Sequence, residues 1–432
     1  MLAVLPFEGE AGASGPYSRA MTGSIDDHDA ARFERGRQQF LEGLARLGAG
    51  EDEAAERHFR DSLREVPGRP STLVNLAVAL LRLGRAAEAL EATGQVLALE
   101  PHSADALLHR AEALDALQRP QEALAAFAEA GRIGGLGAKP WFRHGQTLQQ
   151  LKRDGEALRS YELALQADPG FAPAWTNKGN LLRELSRTEA AAEAFLQARA
   201  CGGGDELNDY YLAAVGTGVT PRHAPGRYVQ GLFDAYAEDF DHHIVDVLGY
   251  RAHEILARRL ALQAQGRRFA SALDLGCGTG LCGVLVKPAV ERMTGVDLSL
   301  GMLEKARATG AYEALHHGEL LHYLQSLDAA AQRHELVIAG DVFIYVGELA
   351  PVFAAVDRCL APGGLFAFSV EEAPTGSEML LQPTLRYAHS RAHVETLATT
   401  HGFAVLDAHR APIRSEQRRA IEGLFFVLRK PG

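Results

Sequence analysis

Asp274, Gly276, Gly278 and Gly280 stand at alternate positions behind an apolar run, in the segment F-A-S-A-L-D-L-G-C-G-T-G-L-C-G from Phe269 to Gly283. Glycine tolerates positive φ and has no Cβ, so a strand that breaks into such a turn and then a helix can bring bare main chain against a polar ligand. A nucleoside-like cofactor is the expected occupant. Two glycine registers compete for the kind of nucleoside. Gly278, Gly280 and Gly283 satisfy the G-x-G-x-x-G spacing of a dinucleotide site, with Asp297 about 20 residues on. The apolar strand, however, ends at Leu275, so Gly276 is the first glycine of the turn, and the third dinucleotide glycine would then fall on Leu281. The spacing that fits is Asp274-x-Gly276-x-Gly278-x-Gly280, which disfavours a nicotinamide oxidoreductase.

At this motif the chain resembles the class I S-adenosylmethionine-dependent methyltransferases, whose first strand ends in acidic-x-Gly-x-Gly-x-Gly. Later segments follow in the family's order. Val296-Asp297-Leu298-Ser299 reads as the end of a second strand, where a carboxylate can accept both ribose hydroxyls. Glu319 follows His317-Gly318 after a third strand, where the family places an acid near the adenine amino group. Glu335 to Gly340 is a buried fourth strand continued by Asp341-Val-Phe-Ile-Tyr345, and Leu360-Ala-Pro-Gly-Gly364 opens a fifth, Leu365 to Val370. The resemblance implies S-adenosylmethionine as cofactor. It assigns the binding to Asp274, Gly276, Gly278, Gly280, Asp297, Leu298, Glu319, Leu320 and Asp341, with Leu298 and Leu320 flanking the adenine. Upstream, aromatic residues between Tyr228 and Asp241, including Phe233, Tyr236 and Phe240, recur at roughly helical spacing. In many of these enzymes such a segment closes over the cofactor, which adds Tyr236 and Phe240 to the set; the alternative is a stripe packed on the sheet.

These residues need a scaffold, and the chain supplies two. From Tyr228 to Gly432 the resemblance implies a Rossmann-like α/β domain with a seven-stranded, mostly parallel sheet. Its last two strands are expected at Gly402–Ala408 and Leu424–Leu428, with a long loop holding Arg410 to Arg419 between them. The preceding half repeats itself. Ala55, Ala89, Ala123, Ala157 and Ala191 are spaced 34 residues apart, the tetratricopeptide period. Phe59, Thr93, Phe127, Tyr161 and Phe195 follow them by four residues, and Gly43, Ala77, Ala111, Gly145 and Gly179 precede them by twelve. Small residues let two antiparallel helices approach, and the large ring fills the gap between them. Trp141 and Trp175 fall at one repeat position, and Pro67, Pro101 and Pro169 close second helices.

The expected organisation is a disordered tail over 1–30, an all-α solenoid of five repeats over 31–203, a linker and capping segment over 204–227, and the methyltransferase domain over 228–432. Stacked hairpins form a groove that holds a peptide or protein, unless they serve assembly into an oligomer. Asn75, Arg110, His144, Gln149 and Lys178 are candidates for that concave face.

A net charge of −11 over 432 residues, with no long basic run, argues against nucleic acid as a partner. No segment reaches the roughly 18 apolar residues of a membrane span, and no secretory leader is read at the N-terminus. Four scattered cysteines without a C-x-x-C pair fit a reducing cytoplasm. Methyl transfer from a sulfonium releases a neutral thioether, so the protein's tasks are alignment and exclusion of water. A carboxylate acceptor needs no base, whereas an amine, hydroxyl or phenol does. Tyr345, His316 and His317 are the catalytic candidates, with His242, His243, Tyr387 and His389 behind them. Adjacent histidines point apart, so no metal is expected. The leading expectation is methylation of a peptide or protein recruited by the repeats. The alternatives are methylation of a small molecule and a non-catalytic adaptor that retains the cofactor fold.

Overall fold

The computed structural model describes residues 27–133, 137–236, 241, 244, 249–328, 333–416 and 419–432. Most of the expected tail, together with Phe240, His242 and His243, lies outside the described residues. The chain divides into two compact units, Met1–Leu181 with Ala200–Gly203, and Leu182–Arg199 with Gly204–Gly432.

In the first unit the repeat positions become helix pairs: Asp27–Gly48 with Asp52–Glu65, Pro70–Arg82 with Ala86–Leu99, Ala104–Ala116 with Pro120–Ile133, and Ala138–Gln150 with Asp154–Ala167. Helix Ala172–Glu184 opens a fifth pair, whose second helix, Thr188–Ala198, groups with the second unit. Phe59, Phe127 and Tyr161 are buried, as are the repeat alanines. The small residues make room for these rings: a Cβ on Gly43 would stand 2.6 Å from Phe59 Cε1, and one on Gly145 would stand 2.5 Å from Tyr161 Cε1. The groove candidates are drawn into internal contacts. Asn75 is buried and its Nδ2 donates to Ser71 O, and the Tyr161 hydroxyl donates to Gln149 Oε1 at 2.8 Å. His144 Nδ1 lies 2.8 Å from Ser160 Oγ, and Lys178 pairs with Glu162 at 3.2 Å.

The second unit is a nine-stranded sheet among the described residues. Its strands are β1 (Phe269–Leu275), β2 (Val290–Asp297), β3 (Ala314–His317), β4 (His334–Ala339), β5 (Leu360–Glu372), β6 (Met379–Leu381), β7 (Tyr387–His389), β8 (Ala404–Glu416) and β9 (Arg419–Arg429). β3, β2, β1, β4 and β5 run side by side in parallel, and β9 closes the edge of β5 antiparallel, followed by β8. Alternation along each strand sorts side chains to two cores. Leu273, Leu275, Val337, Ala339, Phe366, Phe368 and Val370 pack on one face with Phe343 and Phe353. Ala272, Leu336, Ile338, Leu365 and Ala367 pack on the other, under helix Ala252–Ala264.

Two features depart from the expected sheet. Arg410 to Glu416 is strand rather than loop: β8 pairs with β9 in a hairpin as far as Glu416 opposite Arg419, with a register shift between Pro412 and Arg414. Proline cannot donate to a ladder, so a bulge accommodates it. β6 and β7 are additional. Glu371 of β5 pairs with Gly423 of β9 and with Ala388 of β7, so these two strands lie on opposite edges. β7 therefore takes up the edge of β5 that β4 vacates after Ala339 pairs with Phe368.

Within this unit, helix Glu206–Ala214 stacks Tyr211 on Phe195 with ring centroids 5.3 Å apart. The Tyr210 hydroxyl donates to Leu385 O at 2.6 Å, and Arg183 donates to Pro383 O. Both anchor the turn between β6 and β7.

Candidate active site

Every parallel strand of the sheet points its carboxyl end the same way, and at the boundary between β1 and β4 the chain order reverses, which opens a crevice. A cavity of about 240 Å³ lies there. β1 ends at Leu275 and Gly276, Gly278 and Gly280 follow with φ of +62°, +53° and +95°. The three glycines do different jobs. A Cβ on Gly276 would lie 2.2 Å from Val342 Cγ2, so the turn is pressed against the segment after β4. A Cβ on Gly280 would meet the Tyr312 ring at 3.1 Å, and Gly280 does not line the cavity. Gly278 lines it with nothing within 4 Å of its would-be Cβ: its bare main chain faces open space.

Asp297, at the tip of β2, holds that loop: its Oδ2 accepts from Gly278 N at 2.8 Å and its Oδ1 from Ser299 N at 2.9 Å. Burial raises the Asp297 pKa, against backbone hydrogen bonds from Ser299, Gly278 and Leu298. Asp274 is buried beneath the loop; burial pushes it up to about 7, offset in part by the Tyr312 hydroxyl, which donates to Oδ2 at 2.6 Å. Leu298, Glu319 and Leu320 complete this side of the lining. Glu319 also caps helix Leu320–Ser326, accepting from Leu321 N and His322 N.

The segment before β1 is tied to the same loops. Ser299 Oγ donates to Asp234 Oδ1 and Thr279 Oγ1 to Asp241 Oδ1, both at 2.6 Å. Phe233, on helix Gly226–Tyr236, lines the cavity edge-on to Tyr345 with centroids 5.7 Å apart. Tyr236 ends that helix; its side chain and Phe240 are outside the described residues.

The other half of the cavity belongs to β4, β5 and β7. Asp341 follows β4 with φ +58°, a left-handed conformation uncommon outside glycine, and its N–H donates to the buried Ser369 Oγ at 2.8 Å. Its carboxylate accepts from Arg414 at 3.3 Å. Arg414, on β8, also donates to Glu371, and these two side chains are 4% exposed each. Tyr345 lines the cavity; burial raises its pKa, and Arg386 donates a hydrogen bond to its hydroxyl. Arg386 stands immediately before β7 and also lines the cavity.

Asp274, Gly276, Gly278, Asp297, Leu298, Glu319, Leu320, Asp341 and Tyr345 thus converge on one cavity. His316 and His317 are exposed and outside its lining. Tyr387 and His389 are buried elsewhere: the Tyr387 hydroxyl donates to Pro221 O, His389 Nε2 lies 2.9 Å from Val346 O, and burial pushes the His389 pKa down to about 4. Arg386, Arg414 and Glu371 escaped the sequence reading. Arg414 fell in the stretch taken for a loop, and Arg386 lies between strands of three residues each, too short for periodicity. Among the described residues, no group of three or more His, Cys, Asp or Glu could hold a metal ion, and no helix is long and apolar enough to cross a membrane.

Residues 272–364 match the family described as "Methyltransferase domain", and residues 40–97, 74–135 and 142–206 match the tetratricopeptide repeat. Over 131 residues the chain is 31% identical to "Malonyl-[acyl-carrier protein] O-methyltransferase" of Salmonella typhimurium, covering 30% of this chain and 50% of that protein. It is 29% identical over 184 residues to the protein so named in Pseudescherichia vulneris, covering 40% of this chain and 67% of that one. The chain thus spans between half and two-thirds of the length of these curated relatives. The solved N-methyltransferase NodS from Bradyrhizobium japonicum, in complex with S-adenosyl-l-homocysteine, covers 47% of this chain and 99% of that one at 17% identity and a TM-score of 0.38. At that score the overlay adds nothing to the topology described above. The chain thus carries tetratricopeptide repeats followed by a methyltransferase domain, set on a mostly parallel sheet.

Proposed function

We propose that the protein transfers the methyl group of S-adenosylmethionine to an acceptor borne on a peptide or protein that its repeats recruit. The observation that carries the cofactor reading is the pairing of Asp297 with the open main chain of Gly278. A carboxylate at the tip of β2 suits ribose hydroxyls, and the bare main chain at Gly278 lets the nucleoside approach. When bound, the cofactor supplies an electrophilic methyl on a sulfonium. Asp274 would hold the ammonium of its amino-acid tail, and Leu298 and Leu320 would flank the base. The carboxylates suit a cationic ligand, and a cavity walled largely by buried apolar side chains keeps water from the reacting centre.

Calorimetry on the full chain tests this reading. S-adenosylmethionine is expected to bind the wild type, and Asp297→Ala to weaken binding by at least about 100-fold, the loss for two hydrogen bonds to a charged group. Absence of binding, or an unchanged Asp297→Ala protein, overturns it.

A carried acceptor is supported by the repeats, which in solenoids present binding surfaces to polypeptides, and by the relatives named for malonyl groups held on an acyl carrier protein. Labelled cofactor incubated with cell extract decides the point: label entering macromolecules supports it, and label confined to small molecules supports methylation of a free metabolite, with the repeats serving assembly. The four cysteines are free, in keeping with a reducing cytoplasm as the working compartment.

A further inference from the structure

One buried polar ring on the cavity wall is left without a partner. His253 is 7% exposed and lines the cavity, and its Nδ1 is buried with no hydrogen bond among the described residues. Buried polar atoms are paired as a rule, because an unmade hydrogen bond is costly.

The ring is held in place. Tyr250 stacks on it with centroids 5.4 Å and planes 14° apart, and Tyr250 N donates to Ile244 O at 3.0 Å. Both rings stand where the chain enters helix Ala252–Ala264, so His253 falls in a first turn that no side chain caps and that carries partial positive charge. The acids around it are engaged: Glu254 pairs with Arg251 at 2.7 Å, and Asp241 accepts from Thr279 Oγ1. Burial holds the His253 pKa below the usual histidine range and keeps the Tyr250 hydroxyl protonated, so this wall offers neutral donors. It also adjoins the acid beneath the glycine loop, since the charge of Asp274 acts on the Tyr250 hydroxyl.

We infer that His253 binds the carboxylate of the cofactor's amino-acid tail and makes the site selective for a nucleoside that carries one. The inference rests on the methyl-transfer reading above and extends it. On that reading Asp274 meets the ammonium, and the carboxylate hangs from the same carbon, so both groups must be satisfied in one corner of the cavity. The wall of Tyr250 and His253 borders that corner. A neutral imidazole N–H in the first turn of a helix can donate to a carboxylate without adding a cation that would repel the sulfonium.

The test titrates the full chain with S-adenosylhomocysteine, with its decarboxylated analogue, which keeps the nucleoside and the amine, and with methylthioadenosine, which lacks amine and carboxylate. The wild type is expected to bind S-adenosylhomocysteine about tenfold or more tighter than the analogue, the effect of one hydrogen bond to a charged group. His253→Ala should weaken S-adenosylhomocysteine by a similar factor and leave the other two within about twofold, which also shows that the variant folds; His253→Gln, which keeps a side-chain N–H, should restore part of the loss. A wild type that binds the analogue as tightly as S-adenosylhomocysteine overturns the inference, and that comparison needs no variant. So does a His253→Ala protein in which all three ligands weaken alike, as for a purely structural histidine, or in which S-adenosylhomocysteine binds normally. If neither S-adenosylhomocysteine nor methylthioadenosine binds the wild type, the methyl-transfer reading fails first; if both bind and the analogue matches S-adenosylhomocysteine, only the assignment of His253 fails.

Discussion

Glycine serves opposite ends in the two units. At Gly43 and Gly145 the missing Cβ is space taken by the chain's own rings, Phe59 and Tyr161, which stand within 2.6 Å of where it would be. At Gly278 the space has no taker among the described residues, and the φ of +53° shows that the backbone has adopted a conformation only glycine holds cheaply. The first kind of glycine is explained by packing density. The second lines the cavity with its N–H held by Asp297, which leaves open space there for a ligand.

Substitution should separate the two kinds. Gly145→Ala drives a methyl into the Tyr161 ring and is expected to destabilise the repeat unit by about 1–3 kcal/mol without altering cofactor affinity. Denaturant titration alongside calorimetry reads both; a stability loss below a few tenths of a kcal/mol would break the contrast. Asp274 sharpens the ligand side. Its pKa, raised to about 7 by burial, means that the apo fold favours the protonated form. Its contribution to stability is then full below the unfolded value of about 3.9 and is lost as pH rises through 7. A cationic ligand prefers the ionised form, so cofactor affinity should move the other way: about tenfold weaker at pH 6 than at its plateau above pH 7, and independent of pH over that range in Asp274→Asn. Binding that weakens as pH rises would remove Asp274 from the site. Gly278→Ala has the smallest expected effect on folding, about 1 kcal/mol for an alanine held at positive φ, yet it should weaken cofactor binding where Gly145→Ala does not. Unimpaired binding would mean that the open space at Gly278 is not used.

The sequence was informative where local rules decide. β1, β4 and β5 are buried on both faces over most of their length and read as apolar runs, and the repeat alanines recur because each hairpin meets the same neighbour. It was poor where a residue's role depends on a partner distant in the chain. The outer part of β8, from Arg410 to Glu416, carries arginines and a proline, so nothing in its composition announced a strand; it exists because β9 offers it a ladder. Arg414 reaches Asp341 and Glu371 across 73 and 43 residues of sequence, and no spacing rule joins them. His316 and His317 show the reverse error. Their chemistry drew notice, but β3 is an edge strand, and it leaves both rings exposed outside the cavity.

The double pairing of Glu371 has one more implication. Because β7 picks up an edge only after β4 has stopped, the β6–β7 excursion is an annex laid over a sheet that is otherwise already complete. Such an annex can be lengthened, shortened or exchanged without disturbing the strands that carry Asp274 and Asp297.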